Sequence, residues 1–413
     1  MNLYIFNETS CAAVYGIGSY IRELKEALCH SHIKVCMVCL MSKKPHFLIE
    51  EIDGIRYWHF PIRITQQWKT DYQKLIELYH RNVVYLFKLY IEDKNNLIFH
   101  FNDNQSVKLV EELKKKFNCK IVTTIHCYSW RSKMFGNYSY LTTLFSSEGN
   151  YQYNELTEDN NESYRIEKAF FETVDYIICL SKNTQQLLQN DFQIASNKTT
   201  VIYNGLTKRD PISDKSLLRQ KYHIQSNLLI ILFVGRLDDI KGLSHAIRAF
   251  RVILDTLPQC HFIIAGNGVF DKYMKECEDI WMHVTWTGLI SKDKLYDLYS
   301  IADIGIMPSF HEQCSYVAIE MMMHGIPIIG STSTGLKEMI IDGETGLHIP
   351  VIENNNKAEI DTSLLANKML HLLQHPEERK NMGINARNRY LCLYSKDVFR
   401  KYMLNFYSHL YDI

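Results

Sequence analysis

The chain has 413 residues, 46 Lys and Arg against 46 Asp and Glu, and 46% hydrophobic residues. Its length predicts two domains of roughly 200 residues each, because a single core seldom grows larger. The zero net charge removes the broad electrostatic argument for a nucleic-acid partner. The opening MNLYIFNETS turns polar after six residues and lacks the basic-then-apolar layout of a secretory signal. No apolar run approaches the roughly 20 residues of a membrane span.

In chain order, LYIF (3–6) reads as a first strand, followed by the loop CAAVYGIGS and a helix beginning at Ser19. IKVCMVCL (33–40) is the next strand. Cys36 and Cys39 within it have the spacing of a redox or metal pair. Residues three apart in a strand point to opposite faces, so both read as core. With eleven cysteines and no signal, the chain reads as reduced and cytoplasmic. The segment 56–69, RYWHFPIRITQQWK, mixes basic and aromatic residues. It reads either as ordinary packing with a solvated edge or as a sugar-binding or interfacial face, the second giving peripheral contact with the inner face of a membrane. NLIFHF (96–101), a helix over 107–117, KIVTTIH (120–126), a helix ending near Val174, DYIICLS (175–181) and KTTVIYNGL (198–206) continue the first half. Between them, 128–164 is rich in Tyr, Ser and Asn with little periodicity, and reads as a surface insertion or an acceptor-side lid.

After the polar junction TKRDPISDKS the alternation restarts. LLIILFVG (228–235) precedes a helix with apolar residues at Leu243, Ala246, Ile247, Phe250, Ile253 and Leu254, spaced three and four apart. CHFIIAGNG, VTWTG, SKDKLYDLYSIA, DIGIMPS, AIEMMMHG and IPIIGS follow. Short, nearly continuous apolar strands alternating with helices predict parallel sheets covered on both faces. The fold class is therefore α/β, with two doubly wound domains and ligands at the carboxyl ends of the strands. The domains are expected over 1–206 and 207–390, with a last helix over 391–413 returning to the first.

Several residues stand where chemistry is expected. Arg236 ends an apolar strand, and Lys241 follows just before Gly242 and a helix. Two cations beside a helix amino terminus suit a diphosphate. Glu312 lies in the loop after DIGIMPS, and Glu320 lies within the AIEMMM helix. Eight helical residues would set the two carboxylates about 80° apart, so they read as two separate holders of vicinal hydroxyls along one ligand. A diphosphate with hydroxyls on either side is a nucleotide sugar. A dehydrogenase is disfavoured, because the first strand-helix turn lacks the glycine fingerprint with an acidic residue about 20 positions on.

The ordered set GRLDDIKG, IAGNG, LYSIADIGIMPS, Glu312 with seven residues to Glu320, GIPIIGS and GLKEMIIDGETGLHIP resembles the retaining family-4 glycosyltransferases of the GT-B fold. The resemblance is specific over 228–350 and compatible from the start through VIYNG. It implies two Rossmann-like domains facing a central cleft. It further implies a nucleoside-diphosphate sugar as substrate, no cofactor and no metal. On matching positions, Gly235, Arg236 and Lys241 would hold the donor diphosphate, with Gly266, Asn267 and Gly268 beside them. Glu320 would bind the ribose hydroxyls, and Glu312, with Gln313, Cys314, Ser315 and Tyr316, would surround the donor sugar. Gly16 and Gly18 would belong to a loop over the phosphates. His126 would contact the transferred sugar or its acceptor. That acceptor would be a glycan, a lipid-linked sugar, a small molecule or a peptide.

The chain also departs from the family pattern. Gln313-Cys314-Ser315 stands where Gly-Phe-Gly is common, keeping the backbone amides available while adding side chains beside the sugar. Thr334-Gly335 replaces a Gly-Gly pair. Asp238-Asp239 reads as turn-forming rather than as a metal ligand pair. The rival readings are a GT-B enzyme of other chemistry, such as a sugar phosphorylase or nucleotide-sugar epimerase, and a nucleotide-sugar-binding protein without turnover.

Overall fold

The structure, a computed structural model, describes the chain except residues 9–15, 64–70, 104–105, 131–136, 138–154, 211–213, 355–356 and 412–413. Two compact units emerge: one from residues 1–130, 155–205 and 396–413, the other built on 206–395.

In the first unit the described strands are β1 (Asn2–Glu8), β2 (Lys34–Ser42), β3 (Leu48–Ile52), β4 (Ile55–Pro61), β5 (Leu97–Phe101), β6 (Cys119–Ile125), β7 (Tyr176–Cys179) and β8 (Thr199–Val201). They form one sheet in the order β3-β4-β2-β1-β5-β6-β7-β8, parallel except for the β3–β4 pair. Helices α1 (Gly16–Leu28), α2 (Tyr72–Tyr90), α3 (Val107–Lys116), α4 (Glu155–Thr173) and α5 (Lys182–Asn190) connect them. β5 is buried at every position, as a central parallel strand covered on both faces must be.

The structure moves one expected boundary, adds a hairpin and selects between two readings of the aromatic segment. The helix expected from Ser19 begins at Gly16. Gly16 and Gly18 thus sit in its first turn, where glycine's poor helix propensity is outweighed by the packing of Tyr20, Ile21, Leu24, Ala27 and Leu28. The β3–β4 hairpin went unanticipated, although its turn, Asp53-Gly54 with φ of 51° and 73°, is the Asp-Gly pair that two-residue hairpins favour. The aromatic segment 56–69 begins as β4, and its rings point inward. Trp58 is 1% and Phe60 2% exposed, and Trp58 stacks on Phe87 at 4.8 Å. Its charges have local partners too: Arg56 pairs with Glu92 at 3.0 Å and His59 with Glu50 at 2.9 Å. Residues 56–60 therefore serve mainly packing, Arg63 is exposed, and 64–69 lie outside the described residues. Most of the insertion expected over 128–164 lies outside them as well.

The second unit holds β9 (Leu229–Val234), β10 (Cys260–Ala265), β11 (Val284–Gly288), β12 (Ile304–Met307), β13 (Ile328–Ser331) and β14 (Gly346–Ile349), all parallel, in the order β11-β10-β9-β12-β13-β14. A small antiparallel pair, β15 (Val351–Asn354) and β16 (Lys357–Ile360), stands apart. The helices are α6 (Lys215–Lys221), α7 (Leu243–Leu254), α8 (Phe270–Lys275), α9 (Lys292–Ile301), α10 (Tyr316–Met323), α11 (Leu336–Met339), α12 (Thr362–Gln374) and α13 (Pro376–Arg389). Strand order reverses between β9 and β12, and at such a switch point the loops leaving the two carboxyl ends diverge and open a crevice.

The last helix, α14 (Lys396–His409), lies in the first unit and begins at 396 rather than 391. A π-helical turn, Tyr390–Tyr394, ends the second unit, and Tyr390 Oη donates to Leu206 O at 3.0 Å. Within the first unit, Arg400 donates to Cys29 O at 2.9 Å, beyond the end of α1. Phe399, Met403 and Tyr407 are buried there. Among the described residues no helix is long and apolar enough to cross a membrane.

Candidate active site

The loop after β9 and the loop after β12 meet at the switch point. Gly235 N donates to Ala265 O at 3.0 Å, and Phe310 N donates to Ile240 O at 2.8 Å. Between these bonds the chain makes a short 3-10 turn, Asp239–Lys241, capped by Asp238, whose carboxylate accepts from Lys241 N at 3.3 Å. Gly242 then adopts φ 70°, and a Cβ there would lie 2.0 Å from Pro308 O. Only glycine allows this approach, and the approach sets the Lys241 backbone against the loop that carries Glu312.

The consequence is a contact across the two loops. Lys241 Nζ lies 2.5 Å from Glu312 Oε1, with side chains 21% and 12% exposed. Arg236, by contrast, is half exposed and pairs with Asp238 at 3.0 Å. Burial raises the Asp238 carboxyl above its usual range, against the lowering effect of Arg236 and Lys241. Asp239 accepts from Lys272 and, at 2.8 Å, from Tyr273 Oη, and the Lys272 bond chiefly holds its carboxyl low. Both aspartates thus serve the turn and its flanks.

Glu312 is fixed from behind by Thr334. Its N–H donates to Thr334 Oγ1 at 3.0 Å, the Thr334 hydroxyl donates to its carbonyl, and Gly335 N donates to the same carbonyl at 2.8 Å. Thr334 holds φ 26° to do this, a left-handed value uncommon for a β-branched residue. A Cβ on Gly335 would fall 1.5 Å from Gln313 O. The departure from Gly-Gly therefore keeps the glycine that cannot be replaced and adds a hydroxyl clamp.

Gln313, Cys314 and Ser315 are all buried. Ser315 is the N-cap of α10, accepting from Ala318 N at 3.5 Å, and its own amide points at Met339 Sδ, 3.3 Å away. This corrects the expectation that the three amides stay available: the Ser315 amide is engaged. Tyr316 is the first residue of α10 and half-buried. Glu320, one turn on, is 3% exposed. Lys292 bonds its Oε1, and Tyr299 Oη donates to its Oε2 at 2.8 Å. Burial, with the Glu320 charge beside it, pushes the Tyr299 hydroxyl well above its usual range. Each carboxylate oxygen keeps a further lone pair. Glu312 and Glu320 accordingly have separate partners.

Gly266, Asn267 and Gly268 follow β10 and abut the Arg236 loop. Leu237 N donates to Asn267 O at 2.9 Å, and Val269 N to Leu237 O at 3.1 Å. Lys292 and Tyr299 escaped the sequence reading, in which Thr334 figures only as a departure from Gly-Gly, without its role as a clamp. Lys292 and Tyr299 are seven apart in α9 and so share a face with Tyr296, a spacing that could have drawn attention to the first two.

In the first unit, His126 follows the end of β6. Its Nε2 lies 2.9 Å from Asn102 Oδ1, whose amide donates to Phe6 O at 3.0 Å. The Tyr20 ring meets the imidazole edge-on at 4.8 Å. Although part of its surface stays accessible, the dense surroundings lower the His126 imidazole to about 3 through desolvation. It is therefore neutral at ordinary pH and can both accept and donate a hydrogen bond. Behind it runs a buried chain: Tyr407 Oη to His100 Nδ1 at 2.6 Å, His100 Nε2 to Thr124 Oγ1 at 2.8 Å, and Thr124 Oγ1 to Tyr20 Oη at 2.9 Å. Gly16 and Gly18 occupy the first turn of the α1 helix that also carries Tyr20.

Comparison with known proteins gives these features a family. Residues 214–389 match the family described as Glycosyl transferases group 1, and 14–208 match Glycosyltransferase Family 4. An uncharacterised glycosyltransferase of Methanocaldococcus jannaschii is 27% identical over 259 residues, 58% of this chain and 66% of that protein. The chain spans between 42% and 66% of the length of such curated relatives. Sucrose-phosphate synthase from Thermosynechococcus elongatus superposes with a TM-score of 0.77 at 23% identity, over 100% of this chain and 99% of that one. Anabaena HepE in complex with UDP-glucose superposes with a TM-score of 0.70 at 15% identity, over 99% and 100%. With both halves matched and the fold shared from end to end, the chain belongs to the group 1 glycosyltransferases of the GT-B fold.

Proposed function

We propose that the chain transfers a sugar from a nucleoside diphosphate to an acceptor hydroxyl, with retention at the anomeric carbon and without a metal ion, in the building of glycans or glycoconjugates. The observation that carries this reading is the Lys241–Glu312 contact at the β9/β12 switch point, which sets a phosphate-binding cation against a sugar-binding carboxylate. The complex of Anabaena HepE with UDP-glucose supports the donor class.

As the bond from the anomeric carbon to the diphosphate oxygen stretches, negative charge grows on the leaving phosphate. Arg236, free enough to swing from Asp238, and Lys241, with three donors to share between Glu312 and a phosphate oxygen, stabilise that charge more in the transition state than in the ground state. Glu312, held by Thr334, binds the donor sugar's hydroxyls. Glu320 accepts from the ribose hydroxyls while Lys292 and Tyr299 hold its orientation. The leaving phosphate takes the acceptor's proton on the face where the new bond forms, so no protein base is needed. His126, neutral, orients the transferred sugar or the acceptor. The acceptor is a hydroxyl of a glycan, a lipid-linked sugar, a small molecule or a peptide.

The test is to incubate the purified chain with UDP-, GDP-, ADP-, CDP- and dTDP-sugars and a panel of acceptors, with and without a chelator. Released nucleotide and the anomeric configuration of the product by NMR are the readouts. Acceptor-dependent release of one nucleoside diphosphate, unaffected by chelator, with a retained anomer is expected. An inverted anomer, loss of activity on chelation, release of sugar phosphate, or epimerisation without acceptor would each overturn part of the proposal.

A further inference from the structure

We propose that His371, His375 and Glu378 form a binding site for a borderline divalent transition metal of the Zn2+ class. The site is independent of the residues assigned to sugar transfer. His371 lies in the last turn of α12, His375 is the single residue joining α12 to α13, and Pro376 at the first position of α13 fixes the corner. This joint places Glu378, in the first turn of α13, against the preceding helix. His371 Nε2 lies 2.8 Å from Glu378 Oε2, and the two imidazoles stand 4.3 Å apart at 30°.

The hydrogen bonding suits ligation. His375 Nδ1 donates to the His371 carbonyl at 2.7 Å, which fixes the proton on Nδ1 and leaves the Nε2 lone pair for a metal. Metal-binding histidines are commonly held in this way by a carbonyl behind the ring. One ligand atom from each of the three side chains lies within 4.8 Å of the others. Around a tetrahedral ion with bonds near 2.0–2.1 Å, neighbouring ligand atoms sit about 3.4 Å apart. Modest rotation closes the gap, and both histidines are exposed enough to make it. Two imidazoles and a carboxylate favour Zn2+, Ni2+ or Cu2+ over Mg2+ or Ca2+, which prefer all-oxygen shells. The bound ion would replace the His371–Glu378 hydrogen bond with a clasp across the helix joint and leave one position open to solvent.

Tag-free protein stripped with a chelator is titrated with Zn2+ against a chromogenic competitor, alongside His375→Ala and Glu378→Gln. His375→Ala removes a ligand yet keeps the His371–Glu378 bond, so it separates a metal site from a surface hydrogen bond. The wild type is expected to take up one equivalent more than either variant, or to bind that equivalent at least about tenfold more tightly. Zn2+ should raise the melting temperature of the wild type only, and millimolar Mg2+ should not compete. Equal titrations for wild type and both variants, with equal thermal shifts, would show only adventitious binding by other histidines and overturn the site.

Discussion

Lys241 Nζ and Glu312 Oε1 stand 2.5 Å apart, and this one contact joins the loop that ends β9 to the loop that ends β12. Each residue is the other's counter-charge, so changing either alters both the charge offered to a phosphate and the carboxylate offered to a sugar. Lys241→Ala is expected to lower kcat/KM for transfer by about 100-fold or more, the usual effect of deleting one donor to a developing anion. Lys241→Arg, which keeps the charge but not the compact ammonium, should fall between. Initial rates with the donor identified in the screen decide this, and an unchanged rate in Lys241→Ala would remove it from the diphosphate.

Glu320 makes a prediction about binding rather than rate. Nucleoside diphosphate should raise the melting temperature of the wild type, and Glu320→Gln should lose most of that shift. Lys292→Ala leaves a buried carboxylate with Tyr299 alone and is expected to cost about 1–3 kcal/mol of stability. The double variant Lys292→Ala, Glu320→Gln should recover part of that loss, because no orphaned charge remains. Urea midpoints for the four proteins form the cycle, and additive losses would show that the two residues do not depend on each other.

Thr334 tests positioning. Thr334→Gly relieves the left-handed backbone but removes the hydroxyl that holds both the amide and the carbonyl of Glu312. Transfer is expected to slow by about tenfold in kcat, since small misplacements near the reacting atoms are costly, while folding stability changes little. Thr334→Ser should restore the rate. Equal kcat values for the glycine and serine variants would mean that the clamp does not orient Glu312.

Acid should destabilise the fold through its buried histidines. Desolvation lowers His100 to about 3, with His126 nearby adding to the effect, and lowers His80 and His324 to about 4. Unfolded, each would titrate near 6.5. Below that pH the unfolded chain binds protons that the folded chain refuses. Stability therefore falls as pH drops from about 6.5 towards the folded values, by at most about 1.4 kcal/mol per pH unit per histidine, and above 6.5 these groups contribute no pH dependence. Among the described residues His80 Nδ1 has no hydrogen-bond partner, so His80→Phe should flatten the slope between pH 6.5 and 4 without breaking a bond at that atom. Melting curves across that range for both proteins read the difference.

Much of this site could be read in advance where a residue type and its backbone setting go together. Arg236, Lys241 and Gly242 announce a strand giving way to a helix, and the seven residues between Glu312 and Glu320 carry one carboxylate in a loop and one in α10. The β4 aromatics left two readings open because alternation and burial look alike in a short segment: Trp58 and Phe60 take the packing alternative because Phe87 of α2 supplies the surface they pack on. Thr334 could not be foreseen, since its role depends on a positive φ and on the Glu312 peptide, 22 positions away. The spacing of Lys292 and Tyr299 puts them on one face of α9, but their shared partner, Glu320, emerges only from the packing of α9 beside α10.

The placement of α14 also bears on how the polypeptide acquires its shape during synthesis. Residues 206–395 are continuous in sequence and can fold as soon as they leave the ribosome. The other unit cannot close its core until residues 396–411 follow, because Tyr407 completes the bond to His100, and Tyr411 Oη donates to Leu97 O at 2.7 Å. Its eight-stranded sheet must wait, half covered, while nearly 200 later residues are made. That interval leaves the faces of α1 and β5 that α14 covers exposed, and it is there that a chaperone would bind and a stalled or truncated product would aggregate.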